Sequence, residues 1–249
     1  VTTRADPQQS IRDQYEWQIE QSLLQIWRRY GQKLITWLQK RREVQRQTEA
    51  IDDAATSAMF WKELDQETRQ LLLPAFEGMM QDAATDSLGQ LPIAVGVNWD
   101  MINTEAAEWA SEFTGELVTK INDTLKQSVR VNVRNWIEAQ EDLPALTTRM
   151  TKIFDAPWRA KMIAVTETTR AFAEANDKAW QASRVVEKKE WCTAADEMVC
   201  PICEPLHGLQ RNLGKSFPGG INNPPAHPNC RCWLVPVIAE EELPDGAHD

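Results

Sequence analysis

The chain has 249 residues, with 27 Lys and Arg against 37 Asp and Glu, for a formal net charge of -10 at pH 7. That balance opposes a dedicated nucleic-acid binder, whose phosphate contacts require a basic surface. A hydrophobic content of 42% is that of an ordinary folded domain, which excludes disorder throughout.

Glycine is sparse at 10 residues, while Ala, Leu, Gln and Glu are plentiful, a composition that favours helix over sheet. Eleven tryptophans stand against two tyrosines, a supply that suits both a packed core and broad contacts with partner subunits. The sequence shows no secretory signal pattern and no apolar run long enough to cross a membrane, so no membrane role is expected.

In chain order, residues 8 to about 50 read as one long amphipathic helix. Ile19, Leu23, Ile26, Trp27, Tyr30, Leu34, Trp37 and Leu38 recur at steps of three and four, with polar residues between them. Arg28, Arg29, Lys33, Lys40, Arg41, Arg42 and Arg46 decorate the same helix. They read as a solvated charged face, or alternatively as a docking arm for an acidic partner or DNA.

A second helical block runs from about Asp53 to Ser87 and is expected to break near Pro74. The stretch Leu88 to Val97, with its Gly and Pro residues, reads as a connector. Helix resumes at Trp99 with Ile102, Ala106 and Trp109, and a longer stretch follows through Phe113, Leu117, Ile121, Leu125 and Trp136. Leu143-Pro144 opens a short helix that ends near Phe154, and Ala160 to about Ser183 is an alanine-rich helix. The texture then changes. Val185 to Thr193 and Trp233 to Ile238 read as short strands flanking a loop-rich region.

The expected fold is therefore mostly α, with a long N-terminal helical body and a small, loop-rich C-terminal α+β module. The body, suited to docking and assembly, spans 1–139, the module 140–238, and an acidic tail 239–249.

The loop-rich region holds four of the five cysteines and two of the three histidines, His207 and His227. Cys200 and Cys203 form a knuckle spacing stiffened by Pro201, and His227, Cys230 and Cys232 follow in a proline-restricted loop. Two close sets of soft donors joined by a loop are the usual supply of a tetrahedral zinc ion. Five donors exceed the four such a site uses. The favoured set is Cys200, Cys203, His227 and Cys230, with Cys232 as the substitute. A site closed by four protein ligands would be structural, because no position remains for water. The competing readings are a redox pair, or buried thiols or a disulfide pair with His227 merely hydrogen-bonded. Cys192, outside the cluster, reads as a buried thiol.

Glu167, Asp196 and His207 are the candidate catalytic groups of a different reading, a metal-dependent hydrolase or nuclease. That reading requires them to converge on an open metal position. No phosphate-cradling glycine loop, Gly-x-Ser-x-Gly elbow or zinc-protease helix is visible.

The run from Arg159 through Thr166, Glu167 and Arg170 to Ala171 resembles a helix of the phage head morphogenesis proteins, the Mu F-like minor head (minor capsid) family. The resemblance continues through Trp191 to Asp196, Cys200-Pro-Ile-Cys203, Leu206-His-Gly208 and Phe217-Pro-Gly-Gly. It closes on Pro224-Pro225-Ala-His227-Pro-Asn229-Cys230-Arg231-Cys232. It covers roughly residues 140 to 238. Its matching positions are Thr166, Glu167, Trp191, Asp196, Gly208, Pro225, His227, Asn229, Cys230, Arg231 and Cys232. Many relatives keep the Cys-Arg-Cys ending and lack the first cysteine pair, so the metal expectation rests on the donors of this chain. The resemblance implies a non-enzymatic component of a tailed-phage virion, assembled in the host cytoplasm. Inside the capsid it would sit at the portal vertex, in contact with portal protein, other head proteins and possible packaged DNA. The implied task is head assembly and DNA packaging or ejection.

Overall fold

The computed structural model of the protein describes residues 5–44, 57–194 and 199–238. Asp196, Arg46, the start of the expected second block at Asp53 and the acidic tail from 239 lie outside these residues, as do the side chains of residues 40–44. The helices are α1 (Gln9–Val44), α2 (Ala58–Gly89), α3 (Trp99–Glu138), α4 (Leu143–Phe154) and α5 (Pro157–Ser183). Strands β1 (Val186–Cys192), β2 (Gln210–Asn212) and β3 (Trp233–Ile238) follow, with short 3-10 turns at Glu204–Leu206 and Pro218–Gly220. The fold is mostly α with a small C-terminal antiparallel sheet, as composition and periodicity indicate. No described helix is long and apolar enough to cross a membrane.

Pro74 does not interrupt the second block. It lies inside α2, which continues to Gly89. The proline ring is on an exposed turn, while Leu72, Ala75 and Phe76 beside it are buried. Water can satisfy the carbonyl that loses its donor, and burial of the neighbours holds the helix through the defect. The two stretches read after Trp99 are likewise one helix, α3. It is opened by the Asn98 side chain, which accepts from the Met101 N–H at 3.2 Å.

Packing groups the chain into two compact units, both assembled from discontinuous segments. One comprises Ile19–Pro74 and Ser111–Ala160. Its core takes Leu23, Trp27, Tyr30 and Leu34 from α1, Leu64 from α2, Leu125 and Val129 from α3, and Met150 and Phe154 from α4. The stripe on α1 is the one its periodicity indicates. Arg28 pairs with Asp155 at 2.9 Å, and Arg29 and Lys33 reach Glu67, so three of the basic residues of α1 meet acids within this unit. Asp142 caps α4 by accepting from the Ala145 N–H at 3.0 Å.

The other unit comprises the residues up to Gln18, Ala75–Ala110 and those from Lys161 onward. Its sheet has the order β2-β1-β3, antiparallel throughout. Pro236, which has no N–H to give a ladder, is tolerated because β3 is an edge strand. A register shift between Val186 and Lys188 adjusts the alternation of β1. Val186 and Trp191 thereby enter the same core although their odd separation would otherwise put them on opposite faces. That core also takes Trp180 from α5, Phe217, Leu206 and the thiols of Cys203, Cys230 and Cys232. Three of the five candidate ligands are therefore anchored in the core of this unit.

Candidate metal centre

The knuckle is closed by backbone bonds: the N–H groups of Cys203 and Glu204 both donate to the Cys200 carbonyl at 3.0 Å. The turn Glu204–Leu206 follows at once, with the Leu206 N–H donating to the Cys203 carbonyl at 3.0 Å. Both thiols are thereby aimed at the second loop. In that loop the Cys230 N–H donates to the His227 carbonyl at 3.2 Å, and Asn229 adopts a left-handed conformation with φ 60. Asparagine tolerates that region better than most residues.

These loops bring all five sequence-identified donors together. His227 Nε2 lies 3.0 Å from Cys200 Sγ and 3.2 Å from Cys203 Sγ, and Cys203 Sγ lies 3.8 Å from Cys230 Sγ. Cys200, Cys203 and His227 form one group with ligand atoms within 4.8 Å of one another, and Cys203, Cys230 and Cys232 form another. Cys203 belongs to both. The group of five is able to hold a metal ion.

The histidine is set up for such a role by its other nitrogen. Nδ1 lies 2.7 Å from the Pro228 carbonyl, and since a carbonyl can only accept, Nδ1 carries the proton. Nε2 is then left with its lone pair toward the two thiols, the arrangement that orients metal-bound imidazoles.

The electrostatics of the thiols point the same way. Burial, and then the charge of Cys230, push the Cys203 thiol up to about 12. The Cys232 thiol donates to Cys230 Sγ and, against the opposing effect of burial, holds Cys230 down to about 5. The same bond raises Cys232 itself. Negative charge is thus favoured on Cys230 and disfavoured on Cys203 and Cys232. A divalent cation supplies the charge that lets several buried thiolates coexist.

Helix α5 braces the second loop from outside. Thr166 Oγ1 accepts from the Asn229 N–H at 2.9 Å, and Thr169 Oγ1 donates to the Cys230 carbonyl at 2.9 Å. The two threonines share one face of α5. Trp191 and Gly208, two further signature positions, have structural roles. Trp191 is fully buried, stacks edge-on against Phe217 at 5.2 Å and accepts at its carbonyl from the Gly208 N–H at 2.8 Å. Gly208 has φ 76, which explains a glycine there. Pro225 follows Pro224 through a cis bond, and Arg231 is exposed.

Of the described catalytic candidates, neither Glu167 nor His207 belongs to the groups of possible metal ligands. Glu167 pairs with Arg170 on its own helix at 2.9 Å. His207 Nδ1 accepts from the Thr193 N–H at 3.1 Å, tying the end of β1 to the turn after the knuckle. Asp196 lies outside the described residues. Cys192 is a buried thiol packed with Trp233 and Val235.

Three contributors escape sequence reasoning. Thr169 carried a signal, since it follows Thr166 by one helical turn. Arg12 and Lys189 carried none: Arg12 reaches Thr169 from the other end of the chain, and Lys189 is a buried lysine bonded to Asp177 at 3.2 Å and Asn223 at 2.7 Å.

A family model described as phage Mu protein F like protein matches residues 121–235. The match ends within β3 and contains α4, α5, β1, β2 and every donor of the cluster. No curated protein and no solved structure matches the chain significantly.

Proposed function

We propose that this chain, whose residues 121–235 match the phage Mu protein F like family, is a minor capsid protein acting in head morphogenesis of a tailed phage. It works inside the head at the portal vertex, where it contributes to head assembly and to DNA packaging or ejection. Its partners are portal protein and other head proteins. The observation that carries this reading is the family match together with the closing Cys and His loop it encloses. The ion we assign to that loop is zinc, held by Cys200, Cys203, His227 and Cys230, with Cys232 hydrogen-bonded to Cys230 as the fifth donor. Closed in this way, the ion ties loops to the core and leaves no open position for hydrolysis.

Co-expression with the portal protein of the same phage, followed by affinity purification and imaging of assembled heads, tests the role. Co-purification and density at the portal vertex are expected. Absence from both portal complexes and virions would sink the proposal.

A further inference from the structure

We propose that Arg12 is a positioning residue for the metal centre, acting through Thr169 to hold the backbone of Cys230. The inference rests on reading the Cys and His cluster as a metal site. It adds that the first turn of α1 is part of that site's support.

The first observation concerns Thr169 itself. Several helical threonines in this protein direct their hydroxyl back to the carbonyl four residues earlier: Thr68 to Leu64, Thr104 to Asp100, Thr148 to Pro144 and Thr166 to Met162. That is the ordinary habit of a threonine inside a helix. Thr169 departs from it by donating across to the Cys230 carbonyl at 2.9 Å.

Arg12 supplies a reason for the departure. Its Nη2 donates to Thr169 Oγ1 at 2.6 Å, so the oxygen's lone pair meets the guanidinium and its proton is turned outward to the carbonyl. A donor that is itself charged polarises the hydroxyl and strengthens the bond it gives onward. The guanidinium is deeply buried, its side chain 3% exposed, and is neutralised by Asp6 at 2.6 Å. Burying such a pair costs desolvation, so its location calls for a specific contribution. Here the relay ends one residue's backbone away from the thiol that lies 3.8 Å from Cys203 Sγ.

The relay also bears on the choice among donors. The turn from His227 to Cys230 is fixed at Asn229 by Thr166 and at Cys230 by Thr169, so His227 and Cys230 are presented as one rigid pair. The N-terminal segment has a second buried tie, Asn176 Nδ2 to Gln8 Oε1 at 2.8 Å, which touches no atom of the metal loop. It provides the control.

The test is cobalt(II) titration of the full chain, read by the sulfur-to-cobalt charge-transfer and visible bands of a tetrahedral site, with zinc competition for affinity. Wild-type protein without such bands would overturn the metal reading itself. Given wild-type binding, Thr169→Val, which keeps the shape and removes the hydroxyl, is expected to weaken cobalt binding by about 10- to 100-fold. Arg12→Lys keeps the charge beside Asp6 and loses the fork, and should weaken it in the same direction. Thr169→Ser should restore binding. Asn176→Ala should lower thermal stability and leave the cobalt spectrum and affinity as they are. Binding by Thr169→Val and Arg12→Lys within about twofold of wild type would overturn the inference. So would an equal loss in Asn176→Ala, which would reduce Arg12 to a general clamp.

Discussion

Thr169 and Cys230 stand far apart in sequence, yet the hydroxyl of one donates to the carbonyl of the other at 2.9 Å. Through that bond the alanine-rich helix reaches the loop that carries three of the five candidate ligands, His227, Cys230 and Cys232. Residues that read as a family signature are thus also a mechanical assembly, with a helix on one side and thiols on the other.

Cys203 is common to both groups of donors, so it is the thiol whose loss should matter most. Purified protein is expected to contain one zinc, and Cys203→Ser to contain none. Cys192→Ser, altering a thiol outside both groups, should keep the metal. With free zinc at about 100 times its Kd, the ion adds about 2.7 kcal/mol of stability. A chelator should therefore lower the melting temperature. Unchanged melting with chelator and no zinc by elemental analysis would refute the site.

Asn229 sits at φ 60, where a β-branched residue is strained. Asn229→Val should destabilise the protein by about 1–2 kcal/mol, whereas Asn229→Gly should be close to neutral. Denaturant unfolding of the two variants side by side checks the difference. Equal losses would show that the side chain matters and the backbone conformation does not.

Lys189 is 1% exposed and meets Asp177 and Asn223 inside the unit that holds the metal loop. Lys189→Met leaves the Asp177 carboxylate without its cation and should cost about 3–5 kcal/mol. Adding Asp177→Asn to that variant should return part of the loss, because the buried charge is gone. A double variant no more stable than Lys189→Met would argue against a charge pair.

Gly31 lies where an added Cβ would meet Phe154 Cβ at 2.7 Å. Alanine improves helix propensity by about 1 kcal/mol. Overpacking against a rigid ring costs about 1–3 kcal/mol, so Gly31→Ala should lower stability. The loss should shrink when Phe154→Leu makes room. A stabilised Gly31→Ala protein would show that α1 and α4 separate easily.

Both tyrosines donate to carboxylates, Tyr15 to Asp82 and Tyr30 to Glu67, each at 2.7 Å. Burial first, and then the bonded carboxylate, raise each phenol above its ordinary value. A group whose folded pKa is raised stabilises fully below the unfolded pKa, here about 10, and that contribution is lost as pH rises toward the folded value. Stability should therefore fall above about pH 10. The double variant Tyr15→Phe and Tyr30→Phe should lose less over the same range. Denaturant midpoints at stepped pH give the comparison, and parallel curves for the two proteins would exclude the linkage.

Much of the helical content was legible because its causes are local. The stripe from Ile19 to Leu38 repeats at the period of a helix, and the same residues are buried except the half-buried Trp37. Pro74 was misread because its penalty was weighed without the buried Leu72, Ala75 and Phe76 that hold α2 together around it. β2 was missed for a related reason. Gln210, Arg211 and Asn212 show no alternation of their own, and only pairing with Lys188, Lys189 and Glu190 makes them a strand.

The donors were legible one by one, since cysteine and histidine at knuckle spacing announce themselves in any order of folding. Glu167 was equally visible as a carboxylate, and only its pairing with Arg170 shows where it is directed.

The sequence by itself determined the helical class, the family wording over roughly residues 140 to 238 and the identity of the five soft donors, because each is written in local spacing and residue type. The tertiary structure decided what those residues do to one another. Folding puts Cys203 in both groups of ligands, turns the Thr169 hydroxyl away from its own helix, and carries Arg12 and Asp6 into the interior behind it. Those relations depend on contacts between distant segments, where burial and hydrogen-bond geometry act and sequence periodicity has no reach.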